Sequence, residues 1–68
     1  MIGNELQQAR LDAEMTQEEL AVKAQIDRSY ISLLEHDKKS PTLDMLFRIC
    51  QALDIKASTL IARVERKS

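Results

Sequence analysis

Hydrophobic and polar residues follow one another along this chain at the spacing of amphipathic α-helices. A first helix is predicted by apolar residues three or four positions apart, at Ile2, Leu6, Ala9 and Ala13. Four more groups with the same spacing follow: Leu20 and Ala24; Ile31 and Leu34; Leu46, Ile49, Cys50 and Leu53; Leu60, Ile61 and Val64. The pattern therefore predicts an all-α fold of five helices, of which the second and third have only about two turns each.

Helix-start signals separate these apolar groups. Two residue pairs have the spacing of a capping box, Asn4 with Gln7 and Thr16 with Glu19. Two further N-cap candidates stand before the third and fourth groups, Asp27 and Thr42. The fifth group follows Lys56, whose side chain is a poor N-cap, so no polar cap marks the start of the last helix.

Composition supports one small helical domain. The 68 residues are 44% hydrophobic and 31% charged, as in a folded domain, and include one Gly, one Pro, one Tyr and one Phe. Such a chain lacks the turn residues and β-formers of a sandwich or barrel, and residues 1–68 are predicted to form a single domain. Because a domain of this size buries only about 60% of the surface of its unfolded chain, self-association is expected.

Cysteine content and the terminal sequence predict a cytoplasmic protein. Cys50 is the only cysteine, so it has no intramolecular disulfide partner, and it lies in an apolar helical stretch. The first ten residues lack the basic cluster and apolar run of a signal peptide. Since no apolar segment approaches the ~20 residues that span a bilayer, no membrane partner is expected.

The net charge of −1 by itself argues against a nucleic-acid partner, but the charges are unevenly distributed. Residues 1–34 contain three basic and six acidic side chains, whereas residues 35–68 contain seven basic and five acidic ones. Salt screens exposed charges beyond about 8 Å, so the local sign matters more than the sum. A nucleic-acid partner therefore remains open for the basic half.

The segment 16–35 carries the functional signal. Two capped helices of about two turns are joined by Gln25 and Ile26 alone, so they must cross steeply instead of lying antiparallel. Ala21 supplies the small side chain that such a crossing requires. The angle between the helices would be filled by Leu20, Ile26, Ile31 and Leu34. This is the geometry of a helix-turn-helix.

Several motifs extend this signal over most of the chain: TQEELA at 16–21, Lys23, Ile26, YIS at 30–32, Leu34 with Glu35, PTLDML at 41–46 and QALDI at 51–55. Together they resemble the Cro and phage-repressor type of helix-turn-helix domain, over residues 6–64. The resemblance implies a compact five-helix lambda-repressor-like DNA-binding domain, similar to small restriction-modification controllers and phage regulators. In that family the third helix lies in the major groove of double-stranded DNA.

The resemblance assigns base contacts to the outward face of the third helix, at Arg28, Ser29, Ser32 and Leu33. Helical spacing independently places these residues away from the inward side of that helix. An arginine can pair bidentately with O6 and N7 of guanine, and a leucine can pack on a thymine methyl. The alternative interpretation is a solvated face with one scattered surface leucine.

Phosphate contacts are implied at Gln17, Lys38, Lys39, Ser40 and Thr42. Gln17 begins the second helix, and the other four residues belong to the loop before the fourth helix and to its N-cap. Amides beside that cap form an anion site, and phosphate contacts position a protein without reading sequence. The alternative is a loop that merely keeps the surface soluble.

The resemblance also implies a structural charge pair between Arg10 and Glu35, which ties the first helix to the end of the third. A surface salt bridge is the alternative. In contrast, three turns depart from the family, since Glu14, Gln25 and Asp37 stand where relatives often have Gly or Asn. The acidic residues at positions 14, 18 and 19 predict weaker non-specific DNA binding than that of a basic repressor.

The last helix, residues 57–66, is the predicted dimerisation helix. Its apolar residues and the one before it form the expected interface: Ile55, Leu60, Ile61 and Val64. A two-fold dimer would set two recognition helices about 34 Å apart, which predicts a roughly palindromic operator. The alternative is that these residues only complete the core.

Catalytic, metal and cofactor chemistry has little support. His36 is interpreted as a surface residue at the C-terminus of the third helix, and Cys50 as a buried core thiol. No spacing of His, Cys or carboxylates predicts a metal site, and neither a cofactor nor a small-molecule ligand is expected. The sequence thus predicts a homodimeric DNA-binding transcriptional regulator and not an enzyme. The alternative is a protein-interaction module of the same fold, an antitoxin or regulator subunit with weak DNA binding.

Overall fold

The computed structural model describes residues 2–67, which form five α-helices and no β-strand, as the apolar spacing predicts. The helices are α1 (Ile2–Asp12), α2 (Gln17–Ala24), α3 (Arg28–Glu35), α4 (Leu43–Ala52) and α5 (Ala57–Arg66). The two ends of the predicted domain, Met1 and Ser68, lie outside the described residues. None of these five helices combines the length and apolar character that crossing a bilayer requires.

Polar side chains fix the starts of α2, α3 and α4. The backbone N–H of Glu19 donates to Thr16 Oγ1 at 3.0 Å, and the backbone N–H of Thr16 donates to Glu19 Oε1 at 2.8 Å. This is the predicted capping box. The other two caps accept backbone N–H groups as expected, Asp27 from Ser29 at 3.1 Å and Thr42 from Met45 at 3.2 Å. The N-cap of α5 is Lys56, which makes no side-chain cap bond.

The predicted capping box at Asn4 is wrong, because α1 begins at Ile2 and Asn4 lies inside the helix. Asn4 is exposed, whereas the neighbouring Gly3 is buried. The backbone N–H of Gly3 donates to Asp37 Oδ1 at 3.0 Å. A residue in the loop after α3 therefore satisfies the first turn of α1, and no local cap is needed.

Gly3 also permits a close approach between α1 and the end of α3. A Cβ at this position would lie 2.6 Å from the carbonyl oxygens of both Leu34 and Glu35. Real Cβ atoms do not come so near to backbone oxygens, so only glycine fits here without a shift. The contact places α1 against the helix that carries the predicted base contacts.

The core lies where all five helices meet. Its largest fully buried side chains are Leu20, Ile31, Leu34, Ile49, Leu60 and Cys50. Small residues let the short α2 approach its neighbours, since Ala21 and Ala24 are each 5% exposed. Because α2 and α3 are too short to hold alone, this shared core fixes their crossing.

Four helices end in a left-handed residue that is not glycine. The residues with positive φ are Glu14, Gln25, Asp37 and Asp54. In each case the next residue donates back into the helix, as the Ile26 N–H does to the Ala21 carbonyl at 2.9 Å. These are Schellman ends, which normally use glycine, so the backbone is mildly strained at Glu14 and Gln25.

Candidate nucleic-acid interface

Helix α3, the predicted recognition helix, has one side in the core and one side in solvent. Ile31 and Leu34 are 2% and 1% exposed, and they fix the inward side. Arg28 and Ser29 are exposed at the start of the helix. The other two residues of the predicted base-reading face are partly accessible, with Ser32 half-buried and Leu33 37% exposed. The outward edge thus offers one guanidinium, two hydroxyls and one apolar side chain.

The expected charge pair between α1 and α3 is present and buried. Arg10 Nε donates to Glu35 Oε2 at 2.7 Å, and Arg10 Nη2 donates to Glu35 Oε1 at 3.1 Å. The side chains of the pair are only 9% and 2% exposed. Arg10 Nη1 also donates to the Met15 carbonyl at 2.8 Å. This bidentate, nearly dry geometry is that of a buried ion pair, and a solvent-screened surface bridge does not describe it.

Gln17 belongs to the same network. Its amide Nε2 donates to Glu35 Oε1 at 3.0 Å, and its side chain is half-buried. This bond uses one of the two amide N–H groups. The buried pair therefore orients the side chain that is expected to contact a phosphate, at the first residue of α2.

The loop between α3 and α4 carries the other predicted phosphate contacts. Lys38, Lys39 and Ser40 are all exposed. Lys39 Nζ lies 5.8 Å from the ring centroid of the half-buried Tyr30, which is on α3. An ammonium at that distance from an aromatic face is attracted by the ring, so Tyr30 holds Lys39 beside the recognition helix.

Thr42 differs from the lysines because its hydroxyl already accepts the N–H of Met45 at 3.2 Å. The cap fixes the first turn of α4 where the loop ends, and the N-terminus of a helix favours an anion. His36 lies at the opposite end of this loop, where it is the exposed C-cap residue of α3. Its Nδ1 is 2.8 Å from the Ser32 carbonyl oxygen, so the ring lies against the last turn.

Acidic side chains border the same surface. Glu14 and Glu18 line one concavity together with Gln17 and Arg28. Carboxylates this close to the predicted phosphate contact at Gln17 make the local electrostatic potential more negative. The Arg28 guanidinium therefore lies in a concavity that also contains two carboxylates.

The residues expected at a dimer interface, three on α5 and one just before it, separate into two groups. Leu60 is 0% exposed and lies in the core, so its assignment to the interface does not agree with the structure. Ile61 is 37% exposed, and Ile55 and Val64 are half-buried. Sequence spacing put Leu60, Ile61 and Val64 on one side of the last helix, but the structure buries Leu60 completely and leaves Ile61 partly exposed.

Two exposed apolar residues on α4 were not singled out from the sequence. Leu43 is 62% exposed and Phe47 is 52% exposed. Their spacing of four residues, apart from the inward group of Leu46, Ile49 and Cys50, was a usable signal. Helix α4 thus has apolar residues on two sides. Only the side with Leu46, Ile49 and Cys50 packs against the core, and the side with Leu43 and Phe47 is exposed.

The thiol and the possible metal ligands show no catalytic arrangement. Cys50 is buried, and burial raises the pKa of its thiol above the ordinary value, which keeps it protonated and unreactive. Among residues 2–67, no group of three His, Cys, Asp or Glu side chains could hold a metal ion.

The chain matches the family described as Helix-turn-helix over residues 6–60. It is 33% identical over 60 residues to the immunity repressor protein of Bacillus phage phi105, covering 88% of this chain but 42% of that protein. The chain therefore spans less than half the length of this relative.

Two further proteins match over most of their length. The control protein C.MunI of Mycoplasma sp is 32% identical over 66 residues, which cover 96% of this chain and 89% of that protein. The crystal structure of the master regulator for biofilm formation SinR, in complex with DNA, aligns with a TM-score of 0.84 and 32% identity. That alignment covers 90% of this chain and 98% of the SinR chain.

Proposed function

Because the chain belongs to the helix-turn-helix family, we propose that it is a sequence-specific DNA-binding transcriptional regulator that acts as a homodimer on a roughly palindromic operator. The observation that carries the proposal is the division of α3. Ile31, Leu34 and the buried Glu35 fix its inner side, while Arg28 and Ser29 stand free in solvent. A rigid helix with an accessible polar edge is what major-groove binding requires.

In this proposal the outward edge of α3 contacts base edges. Arg28 pairs with O6 and N7 of a guanine, and Leu33 packs on a thymine methyl. Ser29 and Ser32 donate or accept single hydrogen bonds. The contact with Leu33 favours an A·T pair, because only thymine presents a methyl group in the major groove.

Phosphate contacts then fix the register of α3 on the duplex. They come from Gln17, Lys38, Lys39, Ser40 and the first turn of α4 after Thr42. They are supported by the exposure of Lys38, Lys39 and Ser40 in the loop after α3, and by the anchoring of Gln17 on Glu35 and of Lys39 on Tyr30. A protein with this role acts where its DNA is, which for a bacterial or phage regulator is the cytoplasm.

The comparisons support a regulator and not an enzyme. The matched relatives are named as a repressor and a control protein, and the solved neighbour SinR is bound to DNA. We place this chain with such controllers and repressors. Homodimerisation is supported by the partly exposed apolar residues Ile61, Ile55 and Val64 around α5.

The test is a titration against a library of DNA fragments at two salt concentrations. Arg28→Ala is expected to cost about 1–3 kcal/mol of binding free energy on the preferred site and to relax the preference for one base pair. Lys39→Ala is expected to weaken binding to all sequences alike and to reduce the salt slope by about 1. Arg66→Ala is the matched control, because it removes an exposed arginine at the end of α5, away from α3.

Equally feeble binding to every fragment would contradict the proposal. That result would favour the interaction module of the same fold, an antitoxin or regulator subunit. One observation favours this second candidate: α2 exposes Glu18 and Glu19 beside Val22, which is 74% exposed. An acidic surface with an apolar centre suits a basic protein partner better than DNA.

A further inference from the structure

The loop between α3 and α4 carries most of the phosphate contacts proposed above, so its position decides whether they can form. Lys38, Lys39 and Ser40 are exposed in this loop. The far end of the loop is fixed by Thr42, whose side chain caps α4. The near end is formed by Asp37, which directly precedes the two lysines. What holds Asp37 in place therefore also decides where the lysines start.

The backbone of Asp37 has a left-handed conformation, with a φ of 57°. Its N–H donates to the Leu34 carbonyl at 3.1 Å, and the N–H of Lys38 donates to the Leu33 carbonyl at 2.9 Å. Glycine forms such a helix end without strain, so the turn itself does not require an acidic side chain. Asp37 is also exposed beside residues proposed to contact phosphates, where a carboxylate weakens the attraction for DNA. Its side chain therefore needs another explanation.

The Asp37 carboxylate reaches the first turn of α1. Its Oδ1 accepts the backbone N–H of Gly3 at 3.0 Å, across 34 residues of the chain. A carboxylate is favoured at this end of a helix, because the N–H groups of the first turn carry partial positive charge. Helix α1 is closely packed here, since a Cβ on Gly3 would lie 2.6 Å from the carbonyl oxygens of Leu34 and Glu35. Asp37 thus ties the loop to a helix that is itself docked on the end of α3.

The hydrogen bond of Asp37 acts on both lysines, because they follow it directly in the chain. Lys39 Nζ lies 5.8 Å from the ring centroid of Tyr30 on α3. That contact holds only the end of one side chain. The bond from Gly3 to Asp37 instead holds the backbone from which both side chains start. A shift of Asp37 would therefore move both ammonium groups relative to α3.

We propose that Asp37 is a positioning residue for DNA binding. Its hydrogen bond to the start of α1 holds the backbone of Lys38 and Lys39 where their ammonium groups meet phosphates. The inference rests on the DNA-binding function proposed above and adds a residue that does not itself contact DNA. The carboxylate acts through its geometry, since its negative charge opposes binding.

Asp37→Gly and Asp37→Asn form a matched pair that tests this role. Both remove the charge and both tolerate a left-handed backbone, but only asparagine keeps an oxygen that can accept the Gly3 N–H. The DNA affinity of wild type and of both variants is measured over a series of salt concentrations. Asp37→Gly should lower the salt slope by about 1 to 2, because each lost phosphate contact contributes about 0.9. Asp37→Asn should keep the wild-type slope and bind at least as tightly.

The salt slope separates positioning from a purely structural role. A variant that is only less stable has fewer active molecules, but each bound molecule makes the same phosphate contacts, so its slope should not change. Lys39→Ala provides an internal check. It should lower the slope by about 1 in the wild-type background and by less in Asp37→Gly, where the Lys39 contact is already weakened.

Hydrogen exchange of the Gly3 amide tests the bond without DNA. This amide should exchange with solvent at least about tenfold faster in Asp37→Gly than in wild type, because its acceptor has been removed. Asp37→Asn should restore slow exchange. Equal exchange in wild type and Asp37→Gly would show that the bond does not form in solution, and the inference would be overturned.

The inference and the proposed function fail on different results. If wild type binds DNA with a strong salt dependence and Asp37→Gly has the same slope, Asp37 does not position the lysines, while the proposed regulator stands. If both variants lower the slope equally, the charge of Asp37 matters and its hydrogen bond does not. If wild type binds every fragment feebly at all salt concentrations, the proposed function fails and the positioning role fails with it.

Discussion

The helix-turn-helix unit and the α4–α5 junction of this domain are held by different kinds of contact. In residues 16–35, Thr16 and Asp27 cap the two helices, and the Arg10–Glu35 pair ties the end of α3 to α1. At the junction, α5 begins at Lys56 without a side-chain cap, and Phe47 remains half in solvent. Side-chain hydrogen bonds and an ion pair support the first region, whereas backbone hydrogen bonds hold the turn of the second, such as that from the Ile55 N–H to the Cys50 carbonyl at 3.0 Å.

The largest test of this comparison is to break the buried charge pair. Glu35→Ala leaves the Arg10 guanidinium without its bidentate partner and removes the acceptor of Gln17. We expect a loss of about 3–5 kcal/mol in the free energy of unfolding, measured by urea denaturation. A domain of this length has about 3–10 kcal/mol in total, so much of the variant would be unfolded at 37 °C.

The exposed Glu65 provides the control for this experiment, since Glu65→Ala should change stability by less than about 0.5 kcal/mol. Combining Arg10→Met with Glu35→Leu removes both charges and should recover most of the loss. If Glu35→Ala costs less than about 1 kcal/mol, the pair contributes no more than a surface bridge. The contrast between the two regions would then be wrong.

The next largest effect is expected where α1 docks on the end of α3. Gly3→Ala puts a Cβ 2.6 Å from the carbonyl oxygens of Leu34 and Glu35, and these backbone atoms cannot move aside easily. We expect a net loss of about 1–2 kcal/mol, after the better helix propensity of alanine is counted. Asn4→Ala at the neighbouring exposed position should be neutral or slightly stabilising. A loss of about 1 kcal/mol at Asn4 would instead indicate that this residue caps α1.

The comparison can be tested directly by removing the side-chain cap of α2 at Thr16 and adding one to α5 at Lys56. Thr16→Ala removes the acceptor of the Glu19 N–H and should cost about 1 kcal/mol. Lys56→Ser gives α5 the cap that it lacks and should add about 0.5–1 kcal/mol. Thermal unfolding of dilute protein, where self-association does not contribute, measures both. Two neutral results would mean that capping does not distinguish the regions.

The smallest expected effect is a pH dependence of the capping box. The backbone N–H of Thr16, and then its hydroxyl, hold the pKa of the Glu19 carboxyl below its ordinary value. Since the pKa is lowered by folding, this contribution to stability is present above about pH 4.5 and is lost as the pH falls below that value. Wild type should therefore lose more stability than Glu19→Gln on going from pH 6 to pH 3. Glu18→Gln, which removes a neighbouring exposed carboxylate outside the box, should follow wild type.

Sequence reasoning succeeded where a residue type and a short spacing define the structure. Thr16 with Glu19, Asp27 and Thr42 cap their helices as predicted, because a cap needs only a polar side chain two or three positions before its N–H partner. The same reasoning failed at Asn4, because the N–H that is bonded in this turn belongs to Gly3 and its acceptor is Asp37, 34 residues further along the chain. Capping patterns describe local acceptors only, so they miss one that the tertiary fold supplies.

The amino-acid sequence determined the number of helices, most of their starts and the charge pair of Arg10 with Glu35. The helix count and the helix starts follow from side-chain chemistry at fixed spacing along the chain, whereas the pair of Arg10 with Glu35 was implied by the family resemblance. Only the tertiary structure decided that Leu60 is wholly buried while Phe47 is half exposed, and that Gly3 permits α1 to contact α3. The hydrophobic effect is not directional, so an apolar side chain is stabilised in the same way whether it is buried in the core or against a partner. Which side of a helix faces the core depends on how the helix is rotated against its neighbours. The spacing of residues within one helix does not determine that rotation.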